Sequence, residues 1–488
     1  MRRRARWGKW LSAGALLALP RAALAEQTAP AAPVPIQMPE VVVRGRPDES
    51  PAAAPVTASQ GTVEGDDLQD LPLLRRGELM EAVPGMVVTQ HSGDGKANQY
   101  FLRGFNLDHG TDFAFSVDGV PVNLPSHAHG QGYSDLNFLI PELVAGIDFK
   151  KGPFYPEVGD FSGAGAADVR LVDRLPEGLA TAQLGRFGYA RVLVADSPRL
   201  GPGRLLAAFS YDHADGPWVL PEHANRYNGL VRYRWDRGPD ALTATASLYA
   251  APDWRATDQV PGRALADGTL PRFGAVDPTD GGDAGRAGLS LDWTRRTDGA
   301  TTRLLVYTFA QRLNLYSNFT YFLDDPVNGD QFQQIDRRWV AGAQASRRWT
   351  SSWWGHAVEN TAGLQLRGDD IPTSALNHTA SRHLLAVRID DRVHEGSAGV
   401  YVANQVQWTP WLRSQLGLRA DLAAADVDSD TAANSGRDAA GILSPKVGLT
   451  FGPWRDTQLY ANVGAGFHSN DARGVTISVD PVTQQAQQ

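Results

Sequence analysis

From about residue 178 onward the chain repeats one pattern: stretches of roughly ten residues in which apolar and polar side chains alternate, separated by turn-forming connectors. "ATAQLGRFG", "ARVLVADSP", "RLLAAFSYDH", "LVRYRWD", "LTATASLYA", "AGLSLDW" and "RLLVYTFAQ" follow one another, and "WVAGAQASRRW", "TAGLQLRG", "GVYVANQVQW", "SQLGLRADL", "KVGLTFG" and "QLYANVGAG" continue the series. In one of them Leu289, Leu291 and Trp293 fall on one face and Ser290, Asp292 and Thr294 on the other, because strand side chains repeat every two residues. A soluble sandwich or propeller also uses short alternating strands. Unequal connectors and aromatics near strand ends fit a transmembrane antiparallel β-barrel better. On that reading Pro252–Gly285 and Asp421–Ala440 are long outward loops.

The N-terminus sends such a chain across a membrane. Arg2, Arg3, Arg4, Arg6 and Lys9 precede a short apolar core, Leu11 to Leu19, and Ala23-Leu24-Ala25 forms a small-x-small cleavage site. Residues 1–25 therefore read as a signal peptide, too short in its core for a membrane anchor. Its removal takes away six positive charges and no negative ones, moving the formal charge from −8 to about −14. An acidic exported chain lacks the basic footprint that nucleic-acid binding requires. With no cysteine there is no disulfide framework or thiolate metal site.

Two regions lie between signal and barrel. Residues 26–61 are rich in Ala, Pro, Thr and Ser and read as a linker. Within it Val41, Val42 and Val43 form a lone β-branched run, able to add to another protein's sheet edge. Residues 62–173 read as a compact α+β domain. "LLRRGELMEAVPG" predicts a short helix stopped at Pro84-Gly85; "GMVVTQ", "NQYFLRG", "DFAFSVDG", "VAGIDFKKG" and "AADVRLV" predict strands. Asp118-Gly119 is a tight-turn signal.

This order of parts resembles the TonB-dependent outer-membrane receptors. "EVVVRG" at 40–45 is similar to a TonB box, with Glu40, Val41, Val42 and Val43 as its core. "YFLRGFNLDHGTDFAFSVDGVPVN" (100–123) and "LVAGIDFKKGPFYPEVGDFSGAGAADVRLV" (143–172) resemble the family's plug segments. The resemblance implies a Gram-negative outer-membrane location and an α+β plug inside a barrel of about 22 strands. It also implies a partner, TonB, driven by the inner-membrane ExbB/ExbD motor, that pulls on the box to admit a ligand bound at the outer face. It implies plug-structural roles for Arg103, Gly104, Asp118, Gly119, Lys151 and Gly152, with Arg103 salt-bridged. About a dozen strands are visible, in residues 174–488, and no terminal aromatic strand closes the series, so the chain is expected to be a piece of a longer barrel. An unclosed barrel would expose unpaired edges to lipid.

"NLPSHAHGQGYSD" (123–135) carries the chemistry. If Ser126 to Gly130 is extended, His127 and His129 point the same way, about 6–7 Å apart. Two imidazoles are half a transition-metal site, to be completed by Asp108, His109, Asp112 or Asp135, with His91 a weaker candidate. The plainer reading makes them polar lining of a vestibule, and both stand. Asp426, Asp428 and Asp430 lack the glycine and distal glutamate of a calcium loop, and no G-x-S-x-G or H-E-x-x-H occurs. No resident cofactor and no enzymatic activity are expected. The expected function is energised import of a siderophore, another metal chelate or a free transition metal; a passive porin or adhesin is the alternative.

Overall fold

The computed structural model describes residues 55–73, 75–90, 93–256, 260–481, 483 and 485–486. The signal peptide, the valine box and His91 lie outside the described residues. The first region builds two small sheets. Strands β1 (Gln60–Glu64), β5 (Phe113–Val117), β6 (Val120–Pro121), β7 (Val144–Lys151) and β8 (Gly165–Leu171) form a sheet in the order β1-β7-β8-β5-β6. Strands β2 (Met86–Thr89), β3 (Gln99–Leu102) and β4 (Phe105–Asn106) form the other.

The five predicted strands are all present. β5 alternates Phe113, Phe115 and Val117 inward with Ala114 and Ser116 between them, and these meet Ile147, Phe149, Leu79, Met80 and Tyr100 in one core. Each such large apolar side chain contributes roughly 1.5–3 kcal/mol by leaving water. The predicted helix is a 3-10 segment, Arg76–Ala82, whose entry is fixed by the Arg75 N–H donating to Glu78 Oε2 at 3.0 Å. Asp118 (φ 49°) and Gly119 (φ 84°) are both left-handed, the backbone of a type I′ hairpin joining Val117 to Val120.

The second region is one long antiparallel sheet. Its strands are β9 (Leu179–Leu184), β10 (Ala190–Asp196), β11 (Arg199–Leu200), β12 (Gly203–Ala214), β13 (Ala224–Arg237), β14 (Asp240–Arg255) and β15 (Gly281–Thr297). β16 (Ala300–Ser317), β17 (Phe332–Trp353), β18 (His356–Ala380), β19 (His383–Thr409), β20 (Leu412–Ser429), β21 (Gly436–Trp454) and β22 (Thr457–Gly464) continue it. Neighbours in sequence pair in order, with β11 a side strand on β12. Tight turns after β13, β15, β17, β19 and β21 lie at one end, and the longer connectors after β12, β14 and β16 at the other. Short turns mark the periplasmic end of such barrels and long loops the outer end. Leu289 and Leu291 are outward and exposed, as are Val400, Val402, Leu416 and Leu418. Trp353, Trp354, Trp411 and Trp454 gather at the short-turn end, where a membrane interface favours amphipathic rings.

Two loop expectations need correction. The connector after β14 is shorter than Pro252–Gly285, because β14 runs to Arg255 and β15 starts at Gly281. Asp421–Ala440 is mostly strand: Leu422 pairs with Gly441, Ala423 with Ala440 and Asp426 with Arg437, leaving a short connector. Its polar residues are interspersed with alanines and with Val427, which is buried against Ile371, Val393 and Ala472, so polarity there does not mean loop. Asp426 is bonded to Arg437 at 2.8 Å rather than set in a calcium loop.

Candidate functional site

The wall grips the plug through its inward side chains. On one side Arg191, Arg226 and Arg232 pair with plug carboxylates Glu142, Asp94 and Asp118. On the other, Gln344, Gln365, Arg367, Arg419 and Lys446 donate to plug carbonyl oxygens of Gly119, Glu157, Asn123, Pro156 and Pro153. Between plug and this second side lies a cavity of about 1060 Å³. Asn123 and Pro125 line it toward the long-connector end; Pro55 and Val56, held by Arg413 of β20 beside a tight turn, line it toward the other.

The histidine loop crowns the plug at the long-connector end, beside Gln334 and Asp336 at the start of β17. Ser126 to Gly130 is not an extended strand. Its backbone is captured by side chains instead: Ser126 N and Oγ donate to Glu395, Ala128 N to Asp336 at 3.2 Å, and His127 N to Asp471 at 3.2 Å. Arg473 returns a bond to His127 O at 2.9 Å and Arg338 one to Ser126 O. With no partner strand the two-residue period has nothing to enforce it, and the expected common face of His127 and His129 does not form. His127 lies flat on Tyr133, ring centres 4.0 Å apart, while His129 turns to His109, their Nε2 atoms 3.1 Å apart.

The acceptors around these rings fix their tautomers. His109 Nδ1 faces the Asn98 carbonyl at 3.0 Å and must carry hydrogen. Gln334 Nε2 donates to the Ala128 carbonyl, so its Oε1 faces His129 Nδ1 at 2.7 Å and that nitrogen also carries hydrogen. His127 Nδ1 accepts from His129 N at 3.1 Å, placing its own proton on Nε2, which faces Asp336 Oδ1 across 3.7 Å. Burial holds all three imidazolium pKa values below the ordinary range, His127 down to about 3 and His129 well below, with the Lys96 ammonium lowering His109 and His129 further. Lys96 is itself pushed down to about 8 by burial. The rings are therefore neutral ligands at pH 7.

The other candidates disperse. Asp108 stays close, 53% exposed, its Oδ1 3.7 Å from His109 Nε2. Asp112 instead bonds His468 Nδ1 at 2.7 Å. Asp135 is buried, accepts from Asn137 N at 2.8 Å, and is pushed up to about 6 by burial. Among the described residues no three His, Asp or Glu side chains already surround one point closely enough to hold a metal ion. Arg103, left-handed at φ 52°, is exposed and donates to Ser59 Oγ at 3.1 Å rather than forming the expected salt bridge. It shares its turn with Gly104 (φ 85°). Lys151 donates to Pro84 O at 2.7 Å, and the following Gly152 (φ 87°) turns the chain against Phe154, where a Cβ would collide. Asp118 Oδ2 bonds Arg232 at 2.6 Å, and Gly119 N donates to Asp168 at 2.8 Å. Sequence reasoning missed Asn98, Tyr133, Gln334 and Asp336. Only Tyr133, within the quoted loop, carried a local signal.

A family model described as the TonB-dependent receptor plug domain matches residues 52–166, and one described as the TonB-dependent receptor-like β-barrel matches residues 204–484. Among solved structures the chain is similar to the ferric citrate transporter FecA (13% identity, TM-score 0.71, 85% of this chain and 64% of that one). It is also similar to the copper transporter OprC (16%, 0.64, 84% and 65%) and the siderophore receptor PirA from Acinetobacter baumannii (14%, 0.60, 85% and 62%). The chain thus spans under two thirds of the length of each.

Proposed function

Because the chain belongs to the TonB-dependent receptor family, we propose that it works as an energised outer-membrane importer of a scarce transition-metal ion or metal chelate. The observation that carries the reading is placement: three neutral imidazoles top the plug at the long-connector end, and the cavity beneath them reaches the N-terminal end of the plug. Iron, copper and siderophore cargoes named for the similar structures support the same class. In this reading residues 1–25 are cleaved, 26–61 carry the TonB box at 40–45, 62–173 form the plug and 174–488 contribute wall. TonB, powered through ExbB/ExbD, pairs with Glu40–Val43 by strand addition and pulls. A pull is needed because the plug is held by charged and apolar contacts together, and no nucleotide pool lies outside the inner membrane.

The test is uptake in cells carrying the chain or a deletion of Val41–Val43, read as cell-associated copper, zinc and iron. Import falling to background in the deletion supports the proposal. Undiminished import would make the protein a passive pore.

A further inference from the structure

The outward face of the wall changes character along β16 and β17. Asp336 and Arg338 turn inward to the Ala128 N–H and the Ser126 carbonyl, so Arg337 between them faces out. Arg312 does the same between buried Gln311 and Leu313. The two arginines are direct cross-strand partners, and like charges so opposed destabilise a sheet by themselves. Arg312 is bonded to Asp283 of β15, whereas among the described residues Arg337 meets no carboxylate, carbonyl or other polar partner. From Arg337 toward the tight-turn end the outward side chains of β17 are Trp339, Ala341, Ala343 and Ala345, and the next is Arg347. That stretch, at about 3.3 Å per residue and tilted by about 40°, spans roughly 25 Å, the height of the apolar band on a membrane barrel. Exposed Leu304 and Val306 continue the band on β16. Arg337 therefore stands at its outer rim and Arg347 at its inner one. Arg347 has Thr302 and Ala362 opposite it, so on these strands the doubled charge belongs to the outer rim. Farther out, Gln333 donates to Asn314 at 2.9 Å and to the Tyr316 hydroxyl at 2.8 Å, and accepts from Asn377 at 3.0 Å, which makes a strip of amide and hydroxyl groups.

We propose that Arg312 and Arg337 clamp a phosphate of an acylated sugar lipid in the outer leaflet, with its acyl chains along Trp339 and Val306 and its sugar on the strip around Gln333. A phosphate between the two guanidinium groups turns their repulsion into charge-assisted, fork-shaped pairs, strengthened where apolar neighbours exclude water. The layers of the wall, apolar, then doubly cationic, then amide and hydroxyl, follow the layers of such a lipid from the membrane core outward. A phospholipid with one phosphate and no sugar would leave the amide strip unused. The site rests on the outer-membrane part of the import reading and needs neither cargo nor TonB.

The test uses the full chain purified in detergent, with bound lipid counted by native mass spectrometry. The probes are lipid A (a phosphorylated, acylated glucosamine disaccharide), its dephosphorylated form, phosphatidylglycerol and inorganic phosphate. The expected result is one tight equivalent of lipid A, weakened about tenfold or more by dephosphorylation, by Arg337→Gln and by Arg312→Gln, and kept in Arg347→Gln. All three substitutions lie at exposed positions and leave the core untouched. No stoichiometric binding, binding indifferent to Arg312 and Arg337, or an equal loss in Arg347→Gln overturns the site. Phosphatidylglycerol held as tightly as lipid A overturns the sugar-lipid assignment, and inorganic phosphate displacing lipid A at equal affinity overturns the lipid source. Lipid binding and import fail separately. Loss of lipid A binding in a chain whose import still depends on Val41–Val43 removes this site and leaves the import reading; bound lipid in a chain whose import ignores the deletion does the reverse.

Discussion

The two sides of the barrel wall hold the plug by different chemistry. Along β10 to β15 the contact is dry: Ile140 and Leu143 of the plug pack on Leu193, Leu206 and Leu230, and Tyr133 joins Tyr249 and Trp254. Buried arginine–carboxylate pairs are set into that surface. Below the histidine loop, along β17 to β21, a cavity of about 1060 Å³ intervenes, bridged by single hydrogen bonds. Removing plug from the dry side exposes apolar area and strands buried charges, which is costly. Removing it from the wet side exchanges hydrogen bonds for water, which costs about 1 kcal/mol apiece. A pull on the N-terminal segment should therefore open the wet side first, with the dry side as the hinge.

The largest test of this contrast is Leu143→Ala, which deletes a fully buried plug side chain packed with the leucines of the dry wall. It should cost about 2–5 kcal/mol and raise hydrogen exchange across β7 and β8. An effect no larger than that of a wet-side change would erase the distinction. Next comes pH. His127 titrates at about 3 in the fold against about 6.5 unfolded, so its contribution is complete above pH 6.5 and lost as pH falls toward 3. Between pH 7 and 5 the plug should lose about 2 kcal/mol from this group. Urea unfolding at the two pH values checks it, and His127→Asn should flatten the dependence. The smallest effect belongs to the wet side: Gln365→Ala should cost about 1 kcal/mol or less and speed exchange only around Glu157. A global loss there would show the cavity side to be as firmly held as the other.

The plug was legible because its strands are bounded by Gly and Pro and alternate cleanly, as in "DFAFSVDG". The wall was legible where one face is exposed and apolar and the other turns polar side chains toward the plug. It blurred in β16, where Leu305 and Phe309 pack inward while Leu304 and Val306 face out, so the run is apolar on both faces. It blurred again in Ala423–Ala440, where acidic residues are interspersed with alanines and the buried Val427. The histidine site was half legible. His127, His129, His109 and Asp108 were all named, yet the turn that reorients them is dictated by Gln334, Asp336, Glu395 and Asp471, more than 200 residues away in the chain. No local pattern carries that information.

The wet-side bonds have one more property. Gln344, Gln365, Arg367, Arg419 and Lys446 all end on main-chain oxygens of the plug, a group every amino acid possesses. Those five bonds read the path of the plug's backbone and ignore its spelling, unlike the Gln334 and Glu395 contacts with His129 and Ser126. A side-chain change at Pro156 or Glu157 leaves the wall the acceptor that it holds. The dry side has no such freedom, because Glu142, Asp94 and Asp118 must each keep the arginine they answer.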